Sequence, residues 1–189
     1  RRDRRGNGLE GVVIHSRRPA PVGKKAGGSF DQAKEAAYRF LSYRDRSEQE
    51  VALKLQEKGF AEDVIAETLS FLTKGGYLDD SRFARQWARS RMEGRQFGPI
   101  RLRGELLEKG IAPEEIEKVL TALSDESDLV ARAERALLRR FKTAAAFRDL
   151  KTRRKAFDFL RRKGFGAGAI SKAFKRIGAG GQGPEAGEE

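Results

Sequence analysis

Apolar positions in this sequence fall at intervals of three and four, and the pattern restarts around a Lys-Gly-apolar triplet: Lys58-Gly59-Phe60, Lys109-Gly110-Ile111 and Lys163-Gly164-Phe165. The glycines are 51 and 54 residues apart, a period in the range of repeat architectures. Four residues before each glycine stands Leu55, Leu106 or Leu160, and eight before it Val51, Leu102 or Ala156. Six after it comes Ile65, Ile116 or Ile170; ten after, Leu69, Leu120 or Phe174; thirteen after, Leu72, Leu123 or Ile177. Such spacings put each set on one helix face. The triplet itself reads as a helix end, with glycine in the left-handed conformation and the apolar residue folding back on the helix it closes.

A further helix precedes each such pair. Ala33, Ala36, Ala37, Phe40 and Leu41 follow a helical period in the first copy, Phe83, Ala84, Trp87 and Ala88 in the second, and Leu129, Ala133, Ala136 and Leu137 in the third. Boundary residues agree. Ser47 with Glu50 forms a capping box, Gly98-Pro99 puts proline at a first helical position, and Asp79 and Asp80 suit the start of the helix that carries Phe83. Glu62-Asp63 and Pro113-Glu114-Glu115 suit the positive end of a helix dipole. The expected fold is therefore all-α, an elongated tandem array of three three-helix repeats spanning 31–80, 81–125 and 126–177. In the third repeat the middle helix is predicted to be longer, from about Ala144 to Lys163.

Composition changes this picture at the two ends. Residues 1–30 carry eight basic and two acidic side chains among glycines and prolines, which predicts a disordered or partly ordered basic arm, with at most a weak strand over Leu9–Ile14. Either a polyanion-binding arm or a solvated tail fits that composition. Residues 178–189 read as a flexible acidic tail. The only methionine is Met92, so the natural start is expected upstream of Arg1. No apolar run is long enough for a membrane span, and a cytoplasmic protein is expected.

Candidate chemistry is sparse. With no cysteine and one histidine, His15, neither a thiolate nucleophile nor a Cys/His metal site can be built. No phosphate-binding Gly-Lys loop occurs, and Gly164, Gly166 and Gly168 follow a helix rather than the strand that a dinucleotide fingerprint needs. Asp79-Asp80 has no further carboxylate at metal-ligand spacing, so capping explains it better. No enzyme activity and no cofactor are expected.

Charge is what remains, and it is uneven. The formal +12 divides into −4 over 31–80, +2 over 81–125 and +11 over 126–177. The candidate binding residues are Arg82, Arg85, Arg89, Arg91, Arg101 and Arg103 in the second repeat, and Arg153, Arg154, Lys155, Arg161, Arg162 and Lys163 in the third. Lys151 to Lys155 and Arg161 to Lys163 put a basic surface beside the Phe157/Leu160 face, which suits phosphate backbones or an acidic protein. No base-reading module is present, so any contact with DNA is expected to be independent of sequence.

The stretch from Gly75 through Leu78-Asp79-Asp80-Ser81-Arg82-Phe83-Ala84, with Arg91, Gly94, Gly98-Pro99, Arg101, Glu105-Leu106 and Lys109-Gly110-Ile111, resembles the RecX family of bacterial regulators of the recombinase RecA. Arg46-Ser47, Glu50, Leu53, Leu55 and Lys58-Gly59-Phe60 extend the resemblance, which covers about 31–177 and leaves the basic arm outside. It implies a protein that binds RecA, lodges in the groove of the RecA filament on single-stranded DNA, and inhibits its ATPase, coprotease and strand-exchange activities; a monomer is expected. The charge gradient adds an orientation, with the basic end toward DNA or an acidic recombinase surface. A nonspecific DNA-binding architectural protein acting without RecA is the alternative, and a protein scaffold that never touches nucleic acid is a third reading.

Overall fold

Ser47 shows how the sequence sets its helices: its hydroxyl accepts from the Glu50 N–H while the Glu50 carboxylate accepts from the Ser47 N–H, and α2 (Glu48–Glu57) follows. Ser29 and Gln32 cap α1 (Phe30–Leu41) in the same way, and α3 (Glu62–Lys74) begins on the two expected acidic residues. Asp79, Asp125 and Asp149 cap α4 (Asp80–Arg95), α7 (Glu126–Phe141) and α8 (Leu150–Lys163). Proline opens both α5 (Pro99–Glu108) and α6 (Pro113–Leu123), and α9 (Ala167–Ala179) completes the chain order. The computed structural model describes residues 28–123, 125–142 and 149–179, and among these every regular element is a helix.

At all three triplets the glycine is left-handed, with φ of +84° at Gly59, +78° at Gly110 and +90° at Gly164. The following apolar residue donates its N–H to the carbonyl of Leu55, Leu106 or Leu160, five residues back. Three separate cores result, one per set of three helices. Ala33, Val51, Leu55 and Leu72 lie in the first, Phe83, Leu102, Leu106 and Ile116 in the second, Ala133, Leu160, Phe165 and Ile170 in the third. Every apolar position of the repeat register is buried or packed against one of these cores.

Two expectations change. The third middle helix starts at Leu150 rather than near Ala144, because the Asp149 carboxylate accepts from the N–H groups of Lys151 and Thr152 and fixes the first turn there. It is still longer than α2 or α5, at 14 residues against 10. Helical structure also reaches further outward than the composition suggested: Phe30 opens α1 and packs edge-on against Phe71, and α9 continues through Gly178 to Ala179. The readings of residues 1–27 and 180–189, including the strand over Leu9–Ile14, lie outside the described residues.

Small cores leave each unit marginal alone, so the joints matter. The middle helices meet end to end. At the second joint the C-terminus of α8 abuts the N-terminus of α5: Gly98 N–H donates to the Lys163 carbonyl at 2.8 Å and Ile100 N–H to the Gly164 carbonyl at 3.1 Å. The orphan donors of one helix thereby satisfy the orphan acceptors of the other, with the dipoles aligned. The approach is so close that a Cβ on Gly98 would sit 2.3 Å from the Gly164 oxygen. At the first joint the C-terminus of α5 faces the N-terminus of α2, but α2 is already capped by its own side chains. Charge makes the link instead. Lys109 Nζ lies 2.7 Å from Glu50 Oε1, and Asp80 accepts the Glu48 N–H at 2.8 Å.

Glu50 thus holds Arg44 at 2.8 Å and Lys109 at once. Burial pushes its pKa up, but hydrogen bonds and charge from Arg44 and Lys109 outweigh that and bring it down to about 2. A carboxylate held below its unfolded value of 4.5 contributes stability that is complete above that pH and is lost as pH falls toward 2. Glu50→Gln is therefore expected to cost about 1.5–3 kcal/mol at neutral pH, the scale of hydrogen bonds to a charged group. Urea unfolding should also show the variant missing part of the acid-induced loss between those pH values. Parallel pH curves for the two proteins would contradict this role.

Candidate polyanion-binding surface

Of the twelve cations singled out from sequence, three are paired with carboxylates, two of them, Arg101 and Arg103, while still exposed. Glu105 takes Arg91 and Arg101, each at 3.3 Å, and also accepts from the Trp87 indole N–H at 3.1 Å. The Arg91 guanidinium lies 4.1 Å over the Trp87 ring. Arg103 makes a two-pronged contact with Glu117 at 2.6 and 2.8 Å, and the hydrogen bond from that carboxylate raises the Arg103 pKa further. Arg82 reaches back to the Gly76 carbonyl at 3.4 Å, and Arg85 donates to the Ser81 hydroxyl at 2.6 Å. Arg89 lines a depression together with Glu93, Asp128 and Arg135, where both signs of charge meet. Arg82 and Arg85 share α4 with Arg89 but engage different partners.

The third unit is different. Arg153, Arg154, Lys155, Arg161 and Arg162 are exposed along α8, and among the described residues none of them is within ion-pair distance of a carboxylate. The Arg153 guanidinium stands 5.4 Å from the Phe174 ring centroid, a contact that holds the group without neutralising it. With Lys151 and Lys163, α8 carries seven cations against the single carboxylate of Asp158. Ion pairs elsewhere in this unit belong to α7 and α9, as between Arg176 and Glu134 at 2.9 Å.

Lys163 faces the other way, into a cleft of about 440 Å³ between the second and third units. Arg95 from the end of α4 and Arg139 and Arg140 from the last turn of α7 share that cleft, with Phe97 and Phe159 as aromatic walls. Among the described residues no carboxylate lines it. Burial lowers the Lys163 pKa, and the charges of Arg101, Arg139 and Arg95 lower it further, as expected where positive charge is gathered without a counter-charge. Its ammonium donates to the Arg95 carbonyl at 2.6 Å and lies 5.2 Å from the Phe97 centroid and 5.5 Å from that of Phe159. Arg95, Arg139 and Arg140 escaped the sequence reading, since the end of α4 and the end of α7 are 44 or more positions apart and only the joint brings them together. The basic pair ending α7 was the one available signal.

Among the described residues there is no group of three or more potential metal ligands, and no helix long and apolar enough to cross a membrane. Fold and surface together define a class: a tandem three-helix repeat protein that presents its chemistry as a charged exterior. Residues 33–72 match the RecX first three-helix domain and residues 79–120 the RecX second three-helix domain. The regulatory protein RecX of Halorhodospira halophila is 34% identical over 149 residues, covering 79% of this chain and 90% of that one. That of Treponema pallidum is 30% identical, covering 77% and 76%. The chain belongs to the RecX family. Its fold is shared with the crystal structure of RecX from Lactobacillus salivarius, at a TM-score of 0.69 and 24% identity over 79% of this chain and 97% of that one.

Proposed function

We propose that this protein is a cytoplasmic regulator, without catalytic activity of its own, that binds RecA and the RecA filament on single-stranded DNA, lies in the filament groove as a monomer, and inhibits recombinase, ATPase and coprotease activities. The carrying observation is the cationic ridge of α8, whose exposed arginines have no carboxylate partner among the described residues, set at the opposite end of the array from a first unit of net charge −4. A partner surface with alternating acidic and basic ground would fix the array in one direction. Family membership supplies the regulatory role; relatives are named regulatory proteins.

The test is RecA ATPase on single-stranded DNA, titrated with the protein at constant salt. Inhibition is expected at protein levels well below those that coat the DNA. Inhibition that begins only when DNA is saturated would instead support a sequence-independent DNA-binding protein that competes with RecA for its strand.

A further inference from the structure

The cleft between the second and third units combines three properties that the α8 ridge lacks: concavity, aromatic walls and a lining without a carboxylate among the described residues. Arg95, Arg139 and Arg140 are exposed at its rim, and Lys163 is half-buried at its floor. Phe159 is held rather than loose. Its ring meets Phe141 edge-on at 82° with centroids 6.1 Å apart, and it packs against the third core while still lining the cleft. A volume of about 440 Å³ lies in the range of roughly 300–1,000 Å³ that suits an occupant of small-molecule size.

We propose that this cleft binds one nucleotide of a single strand, with its phosphate among Arg139, Arg140 and Arg95 and its base laid against Phe159. An acidic protein side chain would use the cations and leave the aromatic wall without a role. Duplex DNA keeps its bases stacked inside the helix, whereas a single strand can turn a base outward onto an aromatic ring. Lys163, between the two rings, adds a cation beside the same wall. The inference deepens the functional reading by assigning a nucleic-acid contact to particular residues, and it rests on that reading only for the kind of ligand. Its test contains no RecA, so the two can fail separately.

Fluorescence anisotropy of the full chain with a labelled oligothymidylate of about ten nucleotides is compared with an abasic strand of equal length and a duplex. Tighter binding of oligothymidylate than of the abasic strand is expected, by about 5-fold or more, the lower end of what one stacked base supplies. Phe159→Leu keeps most of the volume in the third core and is expected to erase that preference while leaving the salt dependence in place. The double variant Arg139→Gln/Arg140→Gln, at exposed positions that do not threaten folding, should weaken both strands and lower the slope of log K against log salt by about one to two. Equal binding of abasic and thymidylate strands to the unmodified protein would overturn the proposal. So would a Phe159→Leu protein that keeps the preference, or an arginine double variant with unchanged affinity and slope. Binding of polyglutamate with the same arginine dependence and no preference for oligothymidylate would assign the cleft to an acidic protein and overturn it equally.

Discussion

Reversing Arg153, Arg154 and Arg161 to glutamate is expected to reduce inhibition of RecA on the order of 100-fold at low salt and to flatten its salt dependence. All three side chains are exposed on α8 and without a carboxylate partner among the described residues. Among the described residues no carboxylate competes for their charge. Every phosphate that the variant no longer neutralises should lower the salt slope by about 0.7–0.9, so three together would lower it by roughly two to three. Replacement by glutamate adds repulsion where there was attraction, which is why the effect exceeds that of neutral variants. The fold should persist. Surface substitutions of this kind cost within about 0.5 kcal/mol, with a further contribution of about 0.5–1 kcal/mol at Arg153 from its place over Phe174. By contrast, reversing Arg103 would unpair Glu117 and test an internal ion pair rather than a binding face. Inhibition by the triple variant that matches the unmodified protein at every salt concentration would dispose of the proposed polarity.

The largest structural effect is expected from Gly98→Ala. Gly98 has an ordinary extended backbone, with φ −86°, so alanine brings no local strain. It brings a collision. The new Cβ would lie 2.3 Å from the Gly164 oxygen, 2.5 Å from the Gly164 carbonyl carbon and 2.7 Å from the Phe165 nitrogen, all backbone atoms that cannot swing aside. The joint must open, and the hydrogen bonds from Gly98 to Lys163 and from Ile100 to Gly164 go with it. A destabilisation of about 2–4 kcal/mol follows, from overpacking and the two broken bonds. Gly59→Ala is the control. Its φ of +84° imposes the left-handed penalty of about 1–2 kcal/mol, but nothing lies within 4 Å of the added Cβ. Urea unfolding should therefore show Gly59→Ala as a modest shift of one transition and Gly98→Ala as a separation of the third unit from the rest. Equal costs at the two positions would mean that the second joint is looser than its geometry shows.

Much of the fold could be read from the chain because the signals are local. Capping residues such as Ser47 and Asp79, the Lys-Gly-apolar ends and the apolar register act within a few residues of where they stand. Contacts between residues distant in sequence were not legible. Whether Arg101 is a binding residue depends on Glu105 one turn away and on the Arg162 carbonyl, which it reaches at 3.3 Å across 61 positions. Arg103 is paired with Glu117, on the next helix. Conversely, Arg95, Arg139 and Arg140 gain significance only through a joint made by backbone atoms, which no side-chain pattern announces. The start of α8 was misplaced because alanines at 144–146 favour a helix in general, while Asp149 specifies where this one begins.

The two joints differ in what breaks them, and this gives the molecule a mechanical character. The backbone hydrogen bonds of the second joint, from Gly98 to Lys163 and from Ile100 to Gly164, do not respond to ionic strength, whereas the Lys109–Glu50 link does. Raising the ionic strength is therefore expected to weaken the first joint while leaving the backbone bonds of the second in place.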